Sequence, residues 1–355
     1  MVRDDLDSGL VEGARNLLLG CGEFQSGDHL LIVQEDPSLG WYDADAPRAV
    51  AEEAKRLGMT VEILDVGAPS NTPDPNQQAI IDGHQNVIFF ARLGDQDRFE
   101  AHTPPGFTRV MSYIRSAEML ASPYGRTPYA AMKALKGAVN TALLEARHIE
   151  VTCPRGSLVT GTVSPNQRPD GDVAVRRFPL GVPIPHLAET FSGRVVLADY
   201  LTPTGSKVYE PASVAIDEPV IAHLENGRIA RFEGKADVVE RVEAHYDHVA
   251  ALFDLDRAFV HSWHAGIHPG LTYDQPIDAD PDRWSNTSFV QPRYLHFHTC
   301  GAYPPGEICW MVAKPTVRID GEALWDGGRL VPERLSETRD ALEAHGALKE
   351  LFHIG

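Results

Sequence analysis

Over the first 150 residues, runs of apolar, often β-branched side chains alternate with stretches whose apolar positions recur every three to four residues. "HLLIVQED" (29–36) is followed by "APRAVAEEAKRLG" and then by "MTVEILDV" (59–66), the order strand, helix, strand. "NVIFFARL" and "RVMSYI" predict a third and a fourth strand, and "PYAAMKALKGAVNTALLEARH" predicts a long helix. Nearly continuous apolar strands set between amphipathic helices predict a mainly parallel sheet covered on both faces. The loop after the first strand, "QEDPSLGWYDADAP", has neither G-x-G-x-x-G nor Walker spacing. The sheet therefore carries no nucleotide signature and reads as scaffold.

From "HIEVTCPRGSLVTGTVS" onward the pattern shortens to alternating runs broken by Pro, Gly and Asp, such as "GRVVLADYL" and "ASVAIDEPVIAHLENGRIARFEG". In the latter, "ENG" is a hairpin turn between "VIAHL" and "RIARF". One helix, "KADVVERVEAHYDHVAAL", interrupts the strands, and "PERLSETRDALEAHGALKELF" ends the chain as a charged helical tail. The expectation is an α/β N-terminal domain (1–148) with a mainly parallel sheet, then a β-rich α+β C-terminal domain (149–355) that carries the active site.

The 355 residues are enough for two domains with buried cores. Fifty acidic against 32 basic side chains give a formal charge of −18, which phosphate backbones and anionic lipid repel, so nucleic-acid and membrane-surface roles are set aside. The start lacks a cationic segment before an apolar one, and no stretch approaches a membrane span, so a cytoplasmic location is expected. Four dispersed cysteines (Cys21, Cys153, Cys300, Cys309) do not make a disulfide framework.

What changes the picture is histidine. Five of the fifteen (His261, His264, His268, His296, His298) fall within 38 residues, in "FVHSWHAGIHPGLTYD" and "YLHFHTCGAYPPGEICW". Neutral imidazoles and carboxylates hold Fe(II), Mn(II) or Zn(II). In "LHFHTCG", read as a strand, His296 and His298 are two apart and share a face, which suits joint ligation. Glu307, in the turn "YPPGE", is a carboxylate placed to close a ligand set; Tyr303 is a hydrogen-bond donor for a substrate oxygen. Each residue also has a plain structural reading: a core imidazole, a solvated turn acid, a packed aromatic. Cys300 and Cys309 read as small buried hydrophobes. Trp263 and Trp310 are candidate walls of an aromatic pocket, and Arg293 or Lys314 candidate partners of a substrate carboxylate. "HYDH" (245–248) lacks H-E-x-x-H spacing and reads as a solvated helix face, and no G-x-S-x-G elbow occurs.

Taken in order, "VTCPRGSLVTG", "GRVVLADYLTPTG", "LENGRIARFEG", "HAGIHPG", "LHFHTCGAYP" and "VRIDGEALWDGG" resemble the aminopeptidase T type of metallopeptidases. They are still more similar to the related 2,5-dihydroxypyridine 5,6-dioxygenases, Fe(II) ring-cleaving enzymes. The resemblance implies His264, in "SWHAG", as a metal ligand, and His296 with Tyr303 as an active-site pair. Ser206, and Ser262 or its neighbours, stand where the peptidases place glutamates, so a two-metal site is incomplete. Glu307-Ile-Cys309 occupies the place of a family His-x-Asp pair. The resulting expectation is one divalent metal ion, Fe(II) ahead of Mn(II) or Zn(II), held by His264, His296, His298 and Glu307, with Tyr303, His261 and His268 doing catalytic work. The reaction expected is oxidative cleavage of a small aromatic or heteroaromatic ring. A metal-dependent hydrolase and a metal-free ligand-binding protein are the alternatives; a homodimer is implied by the peptidases.

Overall fold

The computed structural model describes residues 3–72, 74–96, 103–169, 175–204, 208–301 and 307–353. Strands β1 (His29–Glu35), β2 (Thr60–Val66), β3 (Asn86–Phe90) and β4 (Thr108–Ser112) pair in parallel, in the order β2-β1-β3-β4. Their side chains sort by parity into two separate cores. Leu30, Ile32, Ile88, Phe90 and Val110 enter one, while Leu31, Val33, Val87, Phe89 and Met111 enter the other. Both faces are thus buried, as the near-continuous apolar runs require. The helix Asp45–Arg56 covers the first face through Ala46, Val50, Ala51 and Ala54. Strand β2 departs from the pattern: it is the sheet edge, and Ile63 is exposed.

Strands β5 (Ile149–Thr152) and β6 (Leu158–Gly161) open a second sheet, after which β7 (Arg176–Phe178) returns to the first and pairs in parallel with β4. The remaining strands are β8 (His186–Leu187), β9 (Ser192–Pro203), β10 (Val214–Glu225), β11 (Arg228–Glu233), β12 (Val260–Ala265), β13 (Tyr294–Thr299), β14 (Ile308–Ala313), β15 (Thr316–Ile319), β16 (Glu322–Asp326) and β17 (Arg329–Leu330). Among the described residues they form one antiparallel sheet, ordered β17-β16-β15-β5-β6-β9-β14-β13-β12-β8, with the β10–β11 hairpin attached to β9. The hairpin turns through Asn226 and Gly227, both at positive φ (49° and 69°), the backbone that Asn-Gly accepts at least strain.

One core cluster unites this sheet with two helices. Met132, Leu135 and Val139 of Tyr129–Leu144 enter it, as do Val238, Val242, Tyr246 and Val249 of Ala236–Phe253. On the second helix His245 is buried beside Tyr209, 5.9 Å between ring centroids, rather than solvated as the sequence pattern predicted. Only His248 of that pair is exposed. No described helix is long and apolar enough to cross a membrane.

Candidate metal centre

Three neighbouring strands set the site. In the β12–β13 ladder His264 lies opposite His296 and Ser262 opposite His298; in the β13–β14 ladder His296 lies opposite Met311 and His298 opposite Cys309. Directly paired residues of an antiparallel sheet share a face, and side chains alternate along each strand. His264, His296 and His298 therefore emerge together. The intervening Trp263, Leu295, Phe297 and Trp310 enter the core on the opposite face.

All three imidazoles are buried, and one ring nitrogen from each lies within 4.8 Å of the others. The His264 and His296 rings stack at 4.8 Å, and His298 stands edge-on to both at 5.1 and 5.0 Å. His264 Nδ1 is 3.1 Å from the Pro183 carbonyl oxygen, an acceptor only, so Nδ1 carries the proton and the Nε2 lone pair is left for the cluster. His264 Nε2 and His298 Nε2 are 3.1 Å apart. Two nitrogens each about 2.1 Å from a common ion stand roughly 3.0 Å apart at a right angle and roughly 3.4 Å at a tetrahedral one. The His264–His298 spacing, the burial and the backbone-fixed His264 tautomer suit a divalent ion.

The other sequence candidates lie elsewhere. His261 is the extra residue of a bulge between Val260 and Ser262, its Nδ1 2.8 Å from Ser262 Oγ. His268 is fully buried, with Nδ1 accepting from the Gly270 N–H at 3.2 Å and its ring 4.8 Å from Tyr124. Burial pushes the pKa of His261 down to about 4 and that of His268 to about 3. Glu307 is buried just ahead of β14, and its carbonyl accepts from the Tyr209 hydroxyl at 2.7 Å. Its carboxylate is not part of the three-imidazole group. Tyr303 and Ser206 lie outside the described residues. Trp263 packs against His186 and Phe191, and the Trp310 indole N–H donates to the Tyr246 hydroxyl, so neither walls the site. Arg293 and Lys314 are exposed, and neither borders the histidines. The four cysteines are free thiols; Cys309 borders the cavity, and burial pushes its pKa up to about 12.

The cavity in front of the histidines is walled by Val182, Pro185, Pro203, Tyr113 and Phe289. The Phe289 ring stands edge-on to His296 at 5.5 Å and to Tyr113 at 5.5 Å. Phe289 and the cavity residues Ser285 and Asn286 are delivered by the helix Pro281–Ser288, which Asp280 caps by accepting from the Arg283 N–H at 2.9 Å. Asp95, Tyr113 and Arg177 come from the first sheet, just past β3, just past β4 and within β7, and Tyr113 donates its hydroxyl to Asp95 at 2.9 Å. Sequence reasoning passed over these residues by reading that sheet as scaffold. The available signal was positional, since ligands of parallel sheets gather beyond the carboxyl ends of the strands.

No family model matches the chain. No curated protein matches it either. The fold is similar to that of a 2,5-dihydroxypyridine dioxygenase from Pseudomonas putida KT2440: TM-score 0.61 over 94% of this chain and 99% of that one, at 14% identity. At that identity the likeness is one of fold.

Proposed function

We propose that this chain is a divalent-metal-dependent oxygenase that cleaves a small aromatic compound, with the ion, Fe(II), held by His264, His296 and His298. The observation that carries this reading is the convergence of three buried imidazoles from two paired strands on an aromatic-walled cavity. The structural neighbour, a dioxygenase over almost the same length, supports the oxidative branch. Three protein ligands leave coordination positions for substrate and dioxygen, and the bound ion would supply the electron exchange between them.

The chain's own residues do the rest. Phe289 and Tyr113, packed edge to face on each other, give the cavity one aromatic wall against which a planar ring can lie. Val182, Pro185 and Pro203 keep water from it. The Tyr113 hydroxyl is oriented by Asp95, which holds its proton away from bulk solvent. From the sequence alone, Tyr303 is proposed as the hydrogen-bond donor to a substrate oxygen.

A hydrolytic second reading rests on one specific feature: a set of three neutral imidazoles without a carboxylate is also the donor set of a catalytic zinc ion. Metal analysis of anaerobically purified protein, paired with dioxygen uptake, separates the two. About one iron per chain, lost in His264→Ala, and substrate loss coupled to dioxygen uptake are expected. Turnover that proceeds unchanged without dioxygen refutes the oxygenase.

A further inference from the structure

The metal cavity does not end at the histidines. A second cavity, lined by Trp41, Arg92, Arg115 and Asp282, shares Asp95, Pro203 and Asn286 with the first. Arg115 lies three residues beyond β4, at the carboxyl end of a parallel strand, and is only 2% exposed. Its guanidinium carbon stacks 4.4 Å from the Tyr42 ring centroid and 5.3 Å from that of Trp41. Stacking occupies the faces of a guanidinium and leaves its N–H groups, which lie in the plane, still to be satisfied. Nη2 donates to the Asn286 carbonyl at 3.3 Å, while Nε and Nη1 are buried and meet no acceptor among the described residues.

Three of the neighbouring acids are engaged with other groups. Glu35 takes the Arg92 guanidinium through contacts of 2.7 and 3.0 Å, Asp282 takes the Asn286 amide at 2.6 Å, and Asp95 takes the Tyr113 hydroxyl at 2.9 Å. A charge that never deprotonates is thus held out of water with Nε and Nη1 unmet among the described residues, beside a cavity that shares Asp95, Pro203 and Asn286 with the proposed reaction site. We propose that Arg115 anchors a carboxylate of the substrate, which makes the substrates aromatic acids rather than uncharged rings. This rests on the metal-site reading. The ring lies against the Phe289–Tyr113 wall, its reacting edge toward the histidines and its carboxylate toward Arg115, which acts as a specificity-determining residue.

Binding to the chelated, metal-free protein tests this apart from turnover. Each of the three hydroxybenzoate isomers is titrated by calorimetry beside its hydroxybenzamide, a near-isosteric ring without the charge. At least one acid is expected to bind at least ~10-fold more tightly than its amide. Arg115→Met, which keeps much of the stacked volume, should abolish that preference, and Arg115→Lys should restore part of it. If the wild-type protein binds no acid better than its amide, or binds neither, the proposal is overturned whether or not the variants fold. A preference that survives Arg115→Met overturns it too. An acid preference in a chain that takes up no metal would keep the anchor and sink the oxygenase. Dioxygen-dependent turnover of uncharged rings with no acid preference would do the reverse.

Discussion

Replacing His268 by glutamine is expected to remove about 2 kcal/mol of acid sensitivity from the fold while leaving metal binding intact. His268 is fully buried and accepts a backbone N–H, and burial holds its pKa near 3 against about 6.5 in an unfolded chain. Between those values the unfolded chain binds the proton and the folded chain does not. Stability is therefore complete above about pH 6.5 and falls as pH drops. At pH 5 the loss is about 1.36 × log[(1 + 10^1.5)/(1 + 10^−2)], or roughly 2 kcal/mol. His186 and His261, both buried with pKa about 4, each add roughly 2 kcal/mol in the same direction. Asp282, raised by burial to about 6, has the opposite sign, because its folded form takes up the proton more readily and returns roughly 1.4 kcal/mol at pH 5. The net loss from these four groups, roughly 5 kcal/mol, is comparable to the whole stability of many domains. Urea unfolding of the chelated protein at pH 7.5 and pH 5.0, followed by tryptophan fluorescence, measures it. The wild-type loss should exceed that of His268→Gln by about 2 kcal/mol. Equal losses would refute the burial argument, and loss of metal from the variant at pH 7.5 would return His268 to the site.

Gly266 follows β12, and a Cβ there would run into the backbone carbonyl of Gln291. Gly266→Ala is expected to cost about 1–3 kcal/mol and to weaken metal binding at His264 at least ~10-fold. Wild-type melting and metal titration would contradict this. Tyr246→Phe removes the acceptor of the Trp310 indole N–H (2.6 Å) and a partner of Thr299, the first on β14 beside the histidine strands and the second on β13 itself. A loss of about 1–3 kcal/mol in urea unfolding, with full metal content, is expected; loss of metal would show that the core face controls the site face. Burial pushes the pKa of Cys21, Cys300 and Cys309 up to about 12, while Cys153 is only half-buried. A thiol reagent at pH 8 should therefore titrate no more than one thiol in the native protein and four after denaturation; a second fast thiol would contradict the packing.

The parallel sheet was legible because its strands carry apolar runs that do not alternate, such as Leu30–Val33 and Val87–Phe90, and a sheet covered on both faces has use for such runs. The edge position of β2 was not drawn from the sequence: Glu62 and Asp65 interrupt its apolar residues, but edge position is a property of strand order. The pair His296 and His298 could be read from a two-residue period. Alternation also explains why Trp263 and Trp310 are core: each neighbours a residue whose side chain faces the cavity, and so points away from it. His261 is itself the inserted residue that interrupts the alternation, and a bulge leaves little trace in one sequence. Asp95, Tyr113, Arg115 and Arg177 were missed because no local pattern links them to histidines at least 87 positions away. Asp95, Tyr113 and Arg115 reach the site from the carboxyl ends of β3 and β4, and Arg177 by the return of β7 to the first sheet.

That return also bears on charge. A set of three neutral imidazoles leaves a divalent ion uncompensated in a buried cavity, where a set containing a carboxylate would remove one unit of the charge. Of the four ligands the sequence implied, Glu307 was the one to bring negative charge, and its carboxylate stands outside the three-imidazole group. Asp95 brings one carboxylate to the cavity, and it comes from the first sheet. Arg177 at the same cavity and Arg115 beyond it, both buried and both from that same sheet, add positive charge. A cavity built this way favours ligands that carry negative charge at both ends, an oxygen toward the histidines and a carboxylate toward Arg115. An uncharged ring of the same shape satisfies neither end.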